Sequence, residues 1–123
     1  MKYLFVLFLV CCQVAVVAQS GNAVKKQQFN QVLDAQGNIT SYDIEQQCHS
    51  VFQNVRYVLE ASGSKWENLV DVTVFLTNMK QDFPVFNKIY AEYFKENQPC
   101  RTTIEINALP TPIAIELKCI ATI

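Results

Sequence analysis

Two residues near the C-terminus have the side chains that hydrolysis of a small nitrogen-bearing acid requires. Arg101 follows Pro99-Cys100 at the mouth of a β-like run. A planar guanidinium holds a carboxylate through two parallel hydrogen bonds, so Arg101 is a candidate clamp for a small acid. Glu116 lies inside the apolar run IAIELKCIA. A glutamate there must be paired, exposed on a barrel-like surface, or functional, because an unpaired buried carboxylate is costly. Spacing leaves these three open, and pairing with Lys118 or Arg101 belongs among them. As a functional group, Glu116 would orient a water and take its proton as that water attacks a C=N carbon. Returning the proton to nitrogen would expel ammonia. A protonated imine is already electrophilic, so neither a metal nor an organic cofactor is expected. The general-base contribution of about 10² to 10⁴, roughly 3 to 5 kcal/mol, is within reach of an open, shallow site.

Other chemistries find less support. Cys48, Cys100 and Cys119 are an odd set at long spacings with no CxxC pair, and are expected as three buried thiols rather than a disulfide framework. His49, the single histidine, is adjacent to Cys48 rather than a helical turn away, which argues against zinc. A net charge of −1 with scattered charges gives no basic stripe, so no nucleic-acid partner is expected and a ribonuclease reading gains nothing.

The chain start reads as a secretory leader. Met1-Lys2 precedes the apolar run YLFVLFLVCCQVAVVA, and Val16-Val17-Ala18 is a small-residue cleavage signature. The run is slightly short for a membrane span of about 20 residues, and no stable membrane association is expected. The expected organisation is therefore a leader over residues 1–18 and one domain over 19–123, with secretion following if the leader is genuine. A cytoplasmic or mitochondrial location is the alternative. Asn38-Ile39-Thr40 is a glycosylation acceptor, which matters only in the secretory case.

The elements that must position Arg101 and Glu116 follow from periodicity. Asp43 caps a helix, with Gln46 three residues on. Ile44, Cys48, Val51, Phe52, Val55 and Leu59 make one apolar stripe, and Gly63 stops it. Asn68 to Asn78 reads as a strand with Val70, Val72, Val74 and Leu76 on one face and Asp71, Thr73, Phe75 and Thr77 on the other. A second helix is expected from near Asp82, with Pro84 in its first turn and an aromatic stripe of Phe83, Phe86, Ile89, Tyr90, Tyr93 and Phe94 packing into the core. Two strands, 101–108 and 113–123, close the chain. Alternation puts Arg101, Thr103 and Glu105 on one face of the first, and Ala114, Glu116, Lys118 and Ile120 on one face of the second. The order is a strand, a helix, a strand, a helix and two strands. Two helices on one face of a mixed sheet would satisfy it, an α+β arrangement. The other sheet face would then meet solvent or another subunit, and Phe75 on that side favours a subunit.

The segments SYDIEQQCHSVFQNVRYVLEASG, NLVDVTVFLTNMKQDFPVFNKIYAEYF and PCRTTIEINALPTPIAIELKCIAT together resemble the YjgF/Rid (reactive intermediate deaminase) family, from about Leu33 to Ile123. DVTVFLTNM and LPTPIAIELK look most like its 2-aminomuconate deaminase branch. The resemblance implies a chorismate-mutase-like fold whose sheets close into a barrel-like homotrimer with clefts between subunits. It implies no cofactor, and a small imino or enamino acid as partner: 2-aminoacrylate, a 2-iminoacid or 2-aminomuconate. By the same resemblance Arg101 matches the carboxylate-gripping arginine and Glu116 the water-activating glutamate. Asn87 in PVFNKIY matches a cleft asparagine, and Thr103 stands where others have cysteine or threonine. Ser20-Gly21 matches a strand-ending Ser-Gly, which would make VAVVAQSG a strand rather than the end of a leader. The family's Gly-Pro-Tyr segment is missing, which leaves a non-catalytic small-molecule-binding or chaperone-like trimer as the alternative function.

Overall fold

The computed structural model describes residues 6–11, 31–33, 39–110 and 113–123. Its elements are β1 (Val6–Cys11), β2 (Gln31–Leu33), β3 (Ile39–Tyr42), α1 (Ile44–Ala61), a 3₁₀ turn (Trp66–Asn68), β4 (Leu69–Leu76), α2 (Met79–Tyr93), β5 (Cys100–Glu105) and β6 (Ile115–Ala121). Four strands form a mixed sheet in the order β1-β6-β4-β5, while β2 and β3 pair separately. The β4–β5 pair is parallel, with α2 as its crossover, and the other pairs are antiparallel. This is the expected α+β arrangement, with more strands ahead of α1 than periodicity suggested. Ser20, Gly21, the segment VAVVAQSG and Asn38 lie outside the described residues. β1 falls inside the apolar run read as a leader, and pairs from Val6↔Ala121 to Cys11↔Glu116.

α1 forms where the stripe predicts it. The Asp43 carboxylate accepts from Glu45 N at 2.9 Å and Gln46 N at 3.5 Å, satisfying amides the first turn leaves open. Gln46 donates through Nε2 to the Asp43 side chain at 3.3 Å. At the other end Ser64 N bonds Leu59 O and Gly63 N bonds Glu60 O, a Schellman closure. It requires the positive φ of +76° that Gly63 adopts. Cys48, Val51, Phe52, Val55 and Leu59 are fully buried against Val72, Val74, Leu76, Ile115, Leu117 and Cys119 of the sheet.

The structure corrects several expectations. Val70 is not on the core face: it is 43% exposed and Leu69 is buried instead. A register shift between Leu69 and Asp71 inserts one extra residue opposite β6, so Val70 is turned outward and strict alternation begins only at Asp71. Asn68 closes the 3₁₀ turn rather than opening the strand. α2 starts three residues before Asp82, because Asn78 is the cap and accepts from Gln81 N at 3.2 Å. Pro84 therefore sits inside the helix rather than in its first turn. β5 and β6 are each shorter than the runs 101–108 and 113–123. Cys48 and Cys119 are buried as expected, with burial pushing both thiols up to about 12, but Cys100 at the start of an edge strand is exposed.

A Cβ at Gly63 would meet nothing within 4 Å, so only the backbone resists substitution. Gly63→Ala should cost about 1 kcal/mol and lower the melting temperature by about 4 °C, measured by thermal denaturation. An unchanged melting point would show that the Schellman closure does not constrain α1.

Candidate functional site

Arg101 is the second residue of β5, at the sheet edge. Its Cα partner on β4 is Val72, a core residue, so its side chain leaves the sheet on the side the helices cover. There Nη1 donates to Asn87 Oδ1 of α2 at 2.9 Å. The guanidinium carbon lies 4.6 Å from the Tyr90 ring centroid, 5.9 Å from Phe86 and 6.0 Å from Phe83. Each is within the range where a cation is attracted to a ring face. Burial pushes the Tyr90 phenol up to about 12 despite the Arg101 cation beside it, so the ring is neutral at any physiological pH.

Two ties fix the chain on either side of Arg101. Asn97 donates through Nδ2 to Trp66 O at 3.0 Å and Leu69 O at 3.3 Å, anchoring the loop before β5. At the end of β5 the Glu105 carboxylate accepts from Met79 N at 2.6 Å, capping α2 from another element. An open cleft of about 570 Å³ begins at Arg101 and is walled by Tyr90, Phe94, Lys95, Gln98 and Pro99.

The expected site residues separate into two groups. Arg101 and Asn87 meet on the helix side of the sheet edge, and Thr103, registered to Val74, shares that face. Thr103 Oγ1 is buried there and makes no hydrogen bond among the described residues. Glu116, 7% exposed, pairs with Phe75 and so occupies the opposite face, with β4 lying between its strand and β5. Pairing of Glu116 with Arg101 within one chain is thereby excluded. Ser20 and Gly21 lie outside the described residues. His49 Nδ1 shares a 2.9 Å hydrogen bond with the Tyr93 hydroxyl, and no metal-holding cluster occurs among the described residues. Sequence reasoning passed over Tyr90, which the aromatic stripe assigned to packing alone. The available signal was its position one turn beyond Asn87 on the same helix.

A family model described as Endoribonuclease L-PSP matches residues 10–123. The chain belongs to the YjgF/Rid family. It is 40% identical over 85 residues to a RutC family protein of Pyrococcus horikoshii, covering 69% of this chain and 67% of that one. It is 38% identical over 87 residues to Reactive Intermediate Deaminase A, chloroplastic, of Arabidopsis thaliana, covering 71% of this chain but only 46% of the plant protein. Among solved structures, yeast Mmf1 is similar with a TM-score of 0.65 at 30% identity, over 95% of this chain and 98% of that one.

Glu105→Ala should remove the Met79 N–H acceptor and cost about 1 kcal/mol. The loss, read as a drop in melting temperature, should shrink at high salt because the interaction with the helix terminus is screened. A salt-independent loss would mean that Glu105 acts through packing.

Proposed function

We propose that this Rid-family chain hydrolyses small imino or enamino acids, releasing ammonia. The observation that carries the reading is the Arg101 guanidinium, held by Asn87 and an aromatic cradle at the head of an open cleft. A guanidinium has five N–H donors, and one is taken by Asn87, so a two-toothed grip on a carboxylate stays available. The name of the Arabidopsis relative supports the same chemistry. With the carboxylate on Arg101, an enamino acid first takes a proton from water on its β-carbon and becomes the imine; water then adds to the C=N carbon and gives up a proton to Glu116. The carbinolamine then takes a proton on nitrogen and expels ammonia, leaving a 2-oxoacid. No bond in this sequence needs a metal or redox cofactor. Substrates in the proposal are 2-aminoacrylate, 2-iminoacids or 2-aminomuconate, with Thr103 a further contact.

Because Arg101 and Glu116 leave opposite faces of one sheet, a cleft containing both takes its glutamate from a neighbouring copy. That geometry asks for a second copy, and the Rid resemblance implies that the active unit is a homotrimer with intersubunit sites. The absence of a Gly-Pro-Tyr segment favours a second reading: a Rid-like trimer with an incomplete front to its site keeps the carboxylate grip and binds without turnover. Nucleic acid is left out of both, since the net charge is −1 and the sole histidine is engaged with Tyr93.

Location depends on residues 1–18. Cleavage after Ala18 would remove β1 and all six of its pairs with β6. N-terminal sequencing of protein from its native source decides this: a start at Gln19 supports secretion, and a retained Met1 keeps β1 in the sheet.

The function is tested by ammonia release from freshly generated 2-aminoacrylate and from 2-aminomuconate, with wild type and Arg101→Ala matched for oligomeric mass. Wild type should accelerate one of them, and Arg101→Ala should lose at least about tenfold, the scale of a charge-assisted hydrogen bond. A wild-type rate equal to the uncatalysed rate would leave the binding reading.

A further inference from the structure

We infer that Tyr90 is the positioning residue of the site: its ring face, with the Asn87 amide, holds the Arg101 guanidinium aimed at the cleft. This rests on the reading of Arg101 as a carboxylate clamp. An arginine on an exposed edge strand has rotamer freedom that a ligand must remove on binding. Here part of that ordering is done in advance. Tyr90 presents the nearest of three ring faces, 4.6 Å from the guanidinium carbon against 5.9 and 6.0 Å for Phe86 and Phe83.

The platform is itself rigid. Tyr90 stacks on Phe94 with centroids 4.2 Å apart and meets Phe52 edge-on at 6.1 Å. Its hydroxyl is buried with no hydrogen-bond partner among the described residues. The ring, not the hydroxyl, is therefore the holding element. Asn87 and Tyr90 are three residues apart on one helix face, so one helix rotation sets both. Asn87 Oδ1 is taken by Arg101, which makes Asn87 a residue acting through the arginine. A ring under an arginine is not enough by itself. Arg56 lies 4.9 Å from Trp66 and 5.1 Å from Tyr93, yet walls no part of this cleft. Among the described residues, a ring face, a side-chain amide and this cleft meet at Arg101.

The test uses full-length Tyr90→Phe and Tyr90→Leu, with propionate as a non-reactive carboxylate probe. Two quantities are read: the dissociation constant for propionate, and the NMR shift of the Arg101 Hδ protons, which a ring face at this distance displaces upfield. Tyr90→Phe should match wild type within about twofold in both. Tyr90→Leu, with unchanged circular dichroism and oligomeric mass, should bind about three- to tenfold more weakly and lose the upfield shift. Wild-type affinity in a folded Tyr90→Leu, or equal loss in Tyr90→Phe, overturns the inference while leaving the clamp in place. Should Tyr90→Leu fail to fold, the wild-type shift decides, and an undisplaced Hδ signal overturns the inference. If propionate binds wild type and Arg101→Ala alike, the clamp reading falls instead, and the Hδ shift still reports on Tyr90 separately.

Discussion

Everything at the sheet edge depends on the aromatic seam between the two helices. Phe52, fully buried on α1, lies 4.6 Å from Tyr93, 5.9 Å from Phe94 and 6.1 Å from Tyr90, measured between centroids. Contacts of this kind add about 0.5 to 1.5 kcal/mol per pair beyond simple burial, and they prefer particular tilts. The seam therefore sets the rotation of α2 about its axis as well as its position. Once that rotation is set, the opposite flank of α2 presents Asn87 and the outer face of Tyr90 toward β5. The core and the arginine cradle are two sides of the same helix.

The fold was legible wherever one period governed an element. The α1 stripe, its Asp43 cap and its Gly63 stop followed from residue types alone, because local hydrogen bonding and burial agree there. Legibility failed where a non-local contact overrode the local pattern. Val70 continues an alternation of valines, yet the bulge opposite β6 turns it outward. The start of α2 was misplaced because Asp82 and Pro84 imitate a first turn. The actual terminus is satisfied by Asn78 and by Glu105 from a different strand. No sequence window contains both Met79 and Glu105.

At the site, chemistry was more legible than geometry. Arg101 and Glu116 stand out because their charges interrupt strand-like runs. Their sidedness depends on sheet order, which periodicity does not encode. Parallel pairing of β4 with β5 puts Arg101 beside Val72, and antiparallel pairing with β6 puts Glu116 beside Phe75. Adjacent residues of β4, such as Val72 and Thr73, point to opposite faces, so two residues registered to Val72 and Phe75 must diverge.

A sheet covered by helices on one side and water on the other should alternate apolar and polar residues. β1 is VLFLVC, apolar at all six positions, although it is an edge strand. On the face away from the helices lie Phe75 and Ile104, the latter 40% exposed, close to the nearly buried Glu116. Such a face suits cover by protein rather than by water. A second copy is protein of the kind that would give such cover, and the proposed site also draws its glutamate from a second copy, so solvation of the sheet and assembly of the proposed site make compatible demands.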